Sequence, residues 1–222
     1  MKLHTLNPSN CIFCDFRATY DELPVCRHCL SKLQKVLERK CKNCSKTPDE
    51  CSCNKAQNIR FLFFFECLSS RIIVYWLKTS FEQRKMDFFV ELMIRNSDID
   101  PNTFDGVTYV PRWKRNIKIY GYDQAEQMAR SVSRIFGIPL VHALKRVGKG
   151  NQKLLSFRMR KTRAKDMFAL RHKPDEKFKK LLIVDDIITT GATITACAEI
   201  LRDGFAKQVI PIVLAKTNHS KI

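Results

Sequence analysis

The chain has 222 residues, and 45% of them are hydrophobic, which is enough for the core of a medium-sized domain accompanied by a small module. A formal net charge of +18 indicates a polyanionic partner such as nucleic acid or nucleotide phosphates, although a generally basic proteome gives the same excess. No apolar run approaches the roughly 18 residues that span a bilayer, and the N-terminus lacks the apolar middle of a signal peptide. We therefore expect no membrane insertion and a cytoplasmic location.

The composition of the chain changes near residue 57. Eight of the ten cysteines precede residue 54, and that stretch is poor in β-branched residues. Regular strand and helix patterns begin only at Ile59. We expect a cysteine-rich module over residues 1–57, which lacks the apolar content for a core of its own, and a second domain over residues 58–222.

The cysteines of the module form four close pairs, and eight thiolates are the number that two tetrahedral zinc ions require. A two-residue gap lets both sulfurs of a tight turn point at one ion. Disulfides are the alternative, but a chain without a secretory signal meets a reducing environment. The spacing favours two structural zinc sites with the pairs combined in chain order, and an interleaved combination stays open. The eight candidate ligands are Cys11, Cys14, Cys26, Cys29, Cys41, Cys44, Cys51 and Cys53.

The second part of the chain alternates strand and helix patterns. This alternation favours an α/β fold, with a mostly parallel sheet covered on both faces. In chain order the predicted elements are a strand at 61–65, helices at about 69–79 and 81–95, a strand at 106–110, a helix at about 122–136, a strand-like stretch at 138–144, a basic segment at 145–165, a strand at 181–184, a helix after Gly191 and a strand at 208–215.

The stretch LLIVDDIITTGATITACAEI, residues 181–200, predicts a buried strand, a turn and a helix. The free N–H groups of a helix N-terminus attract phosphate, and ligands of such sheets bind at the carboxyl ends of the strands. Two adjacent carboxylates can accept hydrogen bonds from ribose hydroxyls or help to hold Mg²⁺. A pentose 5-phosphate meets both requirements, whereas an aspartate pair that caps the helix explains only one carboxylate. The candidate ligand residues are Asp185, Asp186, Thr189, Thr190, Gly191, Ala192 and Thr193.

Two basic segments are candidates for binding phosphates. Residues 145–165 hold nine Lys or Arg and no acid, which is typical of a solvated loop or of a flap over a phosphate or a DNA backbone. Residues 111–118 add cations next to Trp113, Tyr120 and Tyr122, a mixture suited to stacking single-stranded bases. On this hypothesis the flap residues that contact single-stranded DNA are Arg158, Arg160, Lys161 and Arg163.

The stretch LLIVDDIITTGAT resembles the signature loop of type I phosphoribosyltransferases, which binds phosphoribosyl pyrophosphate (PRPP). The double-CxxC module in front of it, together with the segments VPRWKRNIKIYGYDQAEQMA and QKLLSFRMRKTRAKDMF, is similar to the ComF family of late competence proteins of DNA uptake. The resemblance implies a type I phosphoribosyltransferase fold in which Asp185 and Asp186 contact the ribose and residues 189–193 enclose the 5-phosphate. It further implies PRPP with Mg²⁺ as the ligand and a ComFA-type DNA helicase as a partner. The cations expected on the pyrophosphate side are Arg112, Lys114, Arg115 and Lys118.

The chain departs from the ComF pattern at three positions. Tyr120 replaces an Arg, Asp123 replaces an Asn and Arg163 replaces an Asn. The first two changes remove one positive charge and add one negative charge near the expected pyrophosphate. Two hypotheses follow: an accessory protein of natural transformation that binds PRPP or a related sugar phosphate and single-stranded DNA, or an active phosphoribosyltransferase with an unidentified acceptor. A salvage-type or transcription-regulating protein of this fold is less favoured, because it needs no cysteine module.

Overall fold

The central sheet consists of four parallel strands, and a separate antiparallel pair lies beside it. The computed structural model describes residues 10–17, 24–51, 53, 59–79, 82–147, 165–171, 175 and 177–218. The strands are β1 (Arg60–Phe65), β2 (Gly106–Tyr109), β3 (Leu144–Arg146), β4 (Phe168–Leu170), β5 (Lys180–Ile188) and β6 (Gln208–Thr217). The order across the sheet is β1–β6–β5–β2, and β3 pairs with β4.

Parallel pairing brings the carboxyl ends of β2 and β5 to the same edge of the sheet. Tyr109, the last residue of β2, lies opposite Val184 of β5, and Asp185 lies opposite Val213 of β6. The segment that follows β2 therefore meets the last residues of β5. In open α/β sheets this edge is where ligands bind.

Helices cover both faces of the sheet, and the side chains of β5 alternate between them. Leu182 and Val184 share a buried cluster with the helices Gln83–Arg95 and Gln124–Phe136, whereas Leu181 and Ile183 share another cluster with the helix Ala192–Gly204. The helices are α1 (Arg27–Leu37), α2 (Leu68–Thr79), α3 (Gln83–Arg95), α4 (Lys114–Tyr120), α5 (Gln124–Phe136) and α6 (Ala192–Gly204). The predicted α/β fold is confirmed. Among the described residues, none of the helices combines the length and the apolarity needed to span a membrane.

Three elements differ from the sequence-based expectation. Helices α1 and α4 were not predicted, and neither was strand β4. In the predicted strand at 138–144, Leu140 forms only a single bridge to Val107, and regular pairing begins at Leu144. The short hairpin β3–β4 thus leads into and out of the basic segment, most of which lies outside the described residues.

The cysteine-rich part of the chain packs directly on the sheet domain. Phe13 stacks on Trp76 of α2 with 5.7 Å between ring centroids, and it also contacts Phe88 and Phe89 of α3. Asn218, just after β6, accepts a hydrogen bond from the N–H of Lys42 at 2.9 Å and donates to the carbonyl of Lys40 at 3.0 Å. The packing shows a shared core, and the division at residue 57 stays a prediction.

Candidate functional site

A cavity of about 160 Å³ lies at the carboxyl edge of the sheet, between the segment after β2 and the turn that joins β5 to α6. This volume is far larger than the space that one water molecule needs, which leaves room for a group the size of a phosphate. The walls combine two arginines, one aspartate, small hydroxyl residues and one tryptophan. The polar and aromatic lining residues are Arg112, Trp113, Asn116, Arg146, Asp185, Thr189, Thr190 and Thr193.

The turn between β5 and α6 has the backbone shape of an anion site. Gly191 adopts φ +76° and ψ 0°, in the left-handed region that glycine tolerates best. Ala192 and Thr193 follow as the first turn of α6, whose N–H groups have no acceptor within the helix. Both residues line the cavity, and the N–H of Ala192 donates to Thr190 Oγ1 at 3.3 Å. The turn can therefore present amide and hydroxyl donors to a phosphate.

The two adjacent aspartates have different surroundings, because successive side chains of a strand point to opposite faces. Asp185 lines the cavity, and its Oδ1 accepts a hydrogen bond from the N–H of Asp186 at 2.8 Å. Asp186 is buried and forms ion pairs with the Arg112 guanidinium and with Lys78 Nζ, the latter at 3.3 Å. Only one of the two carboxyls therefore contributes to the cavity wall.

Burial, with the charge of Asp186 as a second cause, raises the pKa of Asp185 well above the ordinary value of an aspartate. A cation bound at this carboxyl would favour its ionised form. Asp185 and the hydroxyls of Thr189 and Thr190 are oxygen donors of the kind that Mg²⁺ prefers. The residues present thus fit the cation that the resemblance implies.

The segment after β2 is fixed by the N-terminus of α5. The N–H of Arg112 donates to Asp123 Oδ2 at 2.8 Å, and Asp123 Oδ1 accepts from the N–H groups of Ala125 at 3.1 Å and Glu126 at 3.4 Å. Asp123 is therefore the N-cap of α5. Burial raises its pKa, while the hydrogen bond from Arg112 works in the opposite direction. The negative charge of Asp123 serves this cap, and its carboxylate does not line the cavity.

Arg146, at the end of β3, is the site residue that sequence reasoning did not single out. Its guanidinium lies between two rings, 4.4 Å from the centroid of Trp113 and 5.0 Å from that of Phe168. Within the described part of the chain its Nε has no hydrogen-bond partner and it forms no ion pair. Burial lowers its pKa, although an arginine stays charged in proteins. The signal in the sequence was a single short Leu-Lys-Arg stretch at the start of the long basic segment.

The eight cysteines of the module form two groups of four, combined in chain order. In each group all sulfur atoms lie within 4.8 Å of one another. The Cys14–Cys26, Cys41–Cys53 and Cys44–Cys51 sulfur distances are 3.6, 3.7 and 3.8 Å. A tetrahedral zinc ion with bonds of about 2.3 Å separates its ligands by about 3.8 Å, so both groups fit one ion each.

The two groups share a local turn. Asp15 and Ser45, which directly follow the second cysteine of their pairs, have φ values of 57° and 55°. Their N–H groups donate to the carbonyls of Cys11 and Cys41 at 3.0 and 2.8 Å. The turn gathers the two sulfurs of each pair on one side. Burial and the neighbouring thiols raise the pKa of Cys51 to about 12, and a bound dication would reverse this effect.

Comparisons with known proteins agree with this architecture. Residues 122–222 match the model of the phosphoribosyl transferase domain family. Competence protein F of Haemophilus influenzae is 30% identical over 190 residues, which cover 81% of this chain and 79% of that protein. The chain belongs to the ComF family. Its fold is the type I phosphoribosyltransferase fold, preceded by two four-cysteine groups.

Similarity to solved structures is weaker than similarity to the ComF relative. Orotate phosphoribosyltransferase from Aeropyrum pernix has 15% identity and a TM-score of 0.38, with 61% of this chain and 73% of that chain covered. An allosteric regulatory enzyme of purine biosynthesis has 17% identity and the same TM-score, with 58% of this chain and 25% of that chain covered. This ComF chain thus spans about a quarter of the length of the second structure.

The structure brings most of the predicted ligand residues of this ComF chain together. Asp185, Arg112 and all five residues of the turn at 189–193 line one cavity. Asp186 lies beneath it, in its ion pairs with Arg112 and Lys78. Three of the cations expected on the pyrophosphate side are instead exposed on α4 and do not line the cavity; they are Lys114, Arg115 and Lys118.

The departures from the ComF pattern fall in different environments. Tyr120 is exposed at the end of α4, while Asp123 is buried as the cap of α5. The flap residues Arg158, Arg160, Lys161 and Arg163 lie outside the described residues. The extra negative charge at position 123 is therefore engaged by α5 and by the N–H of Arg112, and Arg146 adds a positive charge to the cavity.

Proposed function

We propose that this chain is an accessory protein of natural transformation that binds PRPP or a related sugar phosphate and single-stranded DNA. The observation that carries the proposal is the turn at Gly191, whose left-handed backbone and helix N-terminus share one cavity with Asp185 and two arginines. The phosphoribosyl transferase domain and the relationship to Competence protein F support it. On this proposal the chain acts in the cytoplasm and cooperates with a ComFA-type DNA helicase.

The ligand binds with its 5-phosphate at the β5–α6 turn and its ribose hydroxyls at Asp185. Mg²⁺ binds with PRPP at the same carboxyl, and Asp186 reaches the ribose when it exchanges its ion pairs for the sugar. Arg112 and Arg146, rather than the lysines of α4, neutralise the pyrophosphate, because they are the cations that line the cavity.

Calorimetric titration with Mg-PRPP tests this site. The parent protein should bind, and PRPP should raise its unfolding temperature. The double variant Asp185→Asn with Asp186→Asn should show neither effect while it keeps its zinc content. Asp203→Asn, an exposed carboxylate on α6, is the matched control and should behave as the parent does. Equal thermal protection of the double variant would show that the aspartates do not bind the ribose.

Single-stranded DNA binds to the exposed basic surface around α4. Lys114, Arg115 and Lys118 are all exposed there, next to the exposed ring of Tyr120. Cations combined with an aromatic ring are suited to a flexible strand, because the phosphates pair with the cations and a base stacks on the ring. The flap predicted over residues 145–165 would add further phosphate contacts through Arg158, Arg160, Lys161 and Arg163.

The salt dependence of DNA affinity tests the α4 surface and the predicted flap independently. Replacement of the three α4 cations by Ala should reduce the slope of log affinity against log salt by about 2, since each phosphate contact to a single strand contributes about 0.7. Replacement of the four flap cations by Ala should reduce it by about 3 for the same reason. An unchanged slope in either variant excludes that surface from DNA binding.

The cysteine groups serve a structural role on this proposal. Four thiolates complete the coordination of each zinc ion and leave no position for water. The ions replace the core that residues 1–57 cannot build, and residues 58–222 hold the ligand.

The alternative function is catalytic transfer of ribose 5-phosphate to an acceptor. The presence of two arginines beside Asp185 favours it, since they would stabilise the charge that develops on departing pyrophosphate. In that reaction the C1–oxygen bond of PRPP breaks, pyrophosphate leaves with the electron pair, and an acceptor that loses a proton bonds to C1. Pyrophosphate release, measured over a panel of bases and amines, distinguishes a transferase from a protein that only binds PRPP.

A further inference from the structure

Helix α2 carries an exposed row of apolar side chains. Leu68, Ile72 and Tyr75 are 74, 36 and 64% exposed, and their i, i+4, i+7 spacing places them on one face. Between the first and the last of them the helix rises about 10 Å, which is about two turns. Most helices of a folded domain bury such a row, so its exposure marks a surface that a partner can cover.

Hollows flank this row on both sides. A cavity of about 330 Å³ lies between α1 and α2, and Phe13, Leu33 and Trp76 form its apolar walls together with Ile72. A more open hollow of about 410 Å³ lies on the other side, with Phe65 and Ile72 in its lining. Ile72 lines both hollows, and we call the continuous surface the α2 groove. It is built jointly by the cysteine-rich part of the chain and by the sheet domain.

The charges around the α2 groove have one sign. Lys32 lines the first hollow and Arg71 the second. Lys78 also lines the second hollow, although its Nζ is paired with Asp186 at 3.3 Å. Among the described residues, no Asp or Glu lines either hollow. A partner with acidic residues beside an apolar face therefore matches both the shape and the charge of the groove.

We propose that the α2 groove binds an amphipathic acidic helix of another protein. A helix fits because the exposed row offers side-chain contacts spaced over two turns, the pattern of helix-in-groove recognition. A second copy of this chain fits less well, because a symmetric contact would place the cations of both copies opposite each other. Single-stranded DNA also fits less well, since Leu68 and Ile72 are aliphatic and Tyr75 supplies the single ring of the exposed row.

Fluorescence anisotropy with a labelled helical peptide of about five turns tests the proposal. The peptide carries Leu and Ile along one face and Glu on the remaining positions, and a matched peptide carries Lys in place of Glu. We expect the full-length, zinc-loaded protein to bind the acidic peptide at least about tenfold more tightly than the basic one. Oligo(dT) is added as a competitor in a separate titration.

Two variants of the groove and one control locate the binding surface. Ile72→Asp should weaken binding of the acidic peptide by about tenfold or more, because it places a charge at the centre of the contact. Leu68→Ser should weaken it as well, and this exposed position tolerates the change if Ile72→Asp fails to fold. Ile119→Asp alters a residue on α4 that is 64% exposed and should leave the affinity unchanged.

Three results would overturn the proposal. The first is failure of the acidic peptide to bind, or an equal affinity for the parent and both groove variants. The second is displacement of the peptide by oligo(dT), with DNA affinity reduced in Ile72→Asp, which would make the groove a DNA surface. The third is a dimer of the parent in sedimentation analysis that Ile72→Asp converts to a monomer, which would make it a contact between copies.

Discussion

Replacement of Gly191 by Ala tests whether the backbone conformation of the β5–α6 turn creates the phosphate site. The residue has φ +76° and ψ 0°, and an L side chain in the left-handed region costs about 1–2 kcal/mol. We therefore expect the free energy of unfolding, measured by urea denaturation, to fall by about that amount. If the backbone relaxes instead, the first amides of α6 move away from the cavity.

The same substitution should weaken Mg-PRPP binding. A hydrogen bond to a charged group contributes about 1.5–3 kcal/mol, so loss of one amide contact to the phosphate lowers affinity about tenfold to a hundredfold. Gly137→Ala is the matched control, because Gly137 has φ +69°, open space around its Cβ position and a place at the end of α5. It should lose similar stability and keep its affinity in calorimetry. Equal affinities of both variants would refute the assignment of the turn as the phosphate site.

Three further predictions concern pH, metal and packing. Because the pKa of Asp185 is raised in the folded state, ionisation of this carboxyl costs stability as pH rises. The gain in free energy of unfolding in Asp185→Asn should therefore grow as pH rises above about 4, and urea midpoints at several pH values test the sign. Elemental analysis should find about two zinc ions per chain in the parent and about one in Cys29→Ser and in Cys51→Ser. Cys67→Ser, which changes a cysteine outside both groups, is the control and should keep about two. Full metal content in Cys29→Ser or Cys51→Ser would contradict the proposed sites. Leu201→Ala removes a fully buried side chain of α6 and should cost about 2–5 kcal/mol in urea unfolding, whereas a loss below about 1 kcal/mol would contradict the packing of α6 on the sheet.

The sequence predicted the strands and helices that have strong periodicity. The apolar run at 181–184 and the i, i+3, i+4, i+7 pattern from Ile194 predicted β5 and α6, because both elements bury a regular set of side chains. Helix α4 was missed, since KRNIKIY is only seven residues long and has no buried side chain. Helix α1 was also missed. Leu30, Leu33 and Val36 have a helical spacing, but the cysteine pairs next to them were the stronger pattern in that region.

The candidate site was predictable where one segment supplies it. The turn at 189–193 lies in a continuous motif, so its residues meet in one cavity. The orientation of α4 depends on tertiary packing, and the sequence could not show that Lys114 points to solvent while Arg112 reaches Asp186. Arg146 comes from a separate hairpin, and its proximity to Trp113 depends on the packing of β3 and β4.

The pairing of the first strand with the last one constrains the order of events during synthesis. Among the described strands, β1, with four phenylalanines in the run RFLFFF, pairs with β6 alone. Glu66, next to β1, accepts a hydrogen bond from Asn218, 152 residues later. At about 5–20 residues per second, the ribosome needs about 8–30 s to make the intervening chain. During that time this phenylalanine-rich strand lacks its strand partner, and an unpaired strand edge is prone to pair with other chains. The β1 edge of the sheet can therefore close only after almost the whole chain has been synthesised.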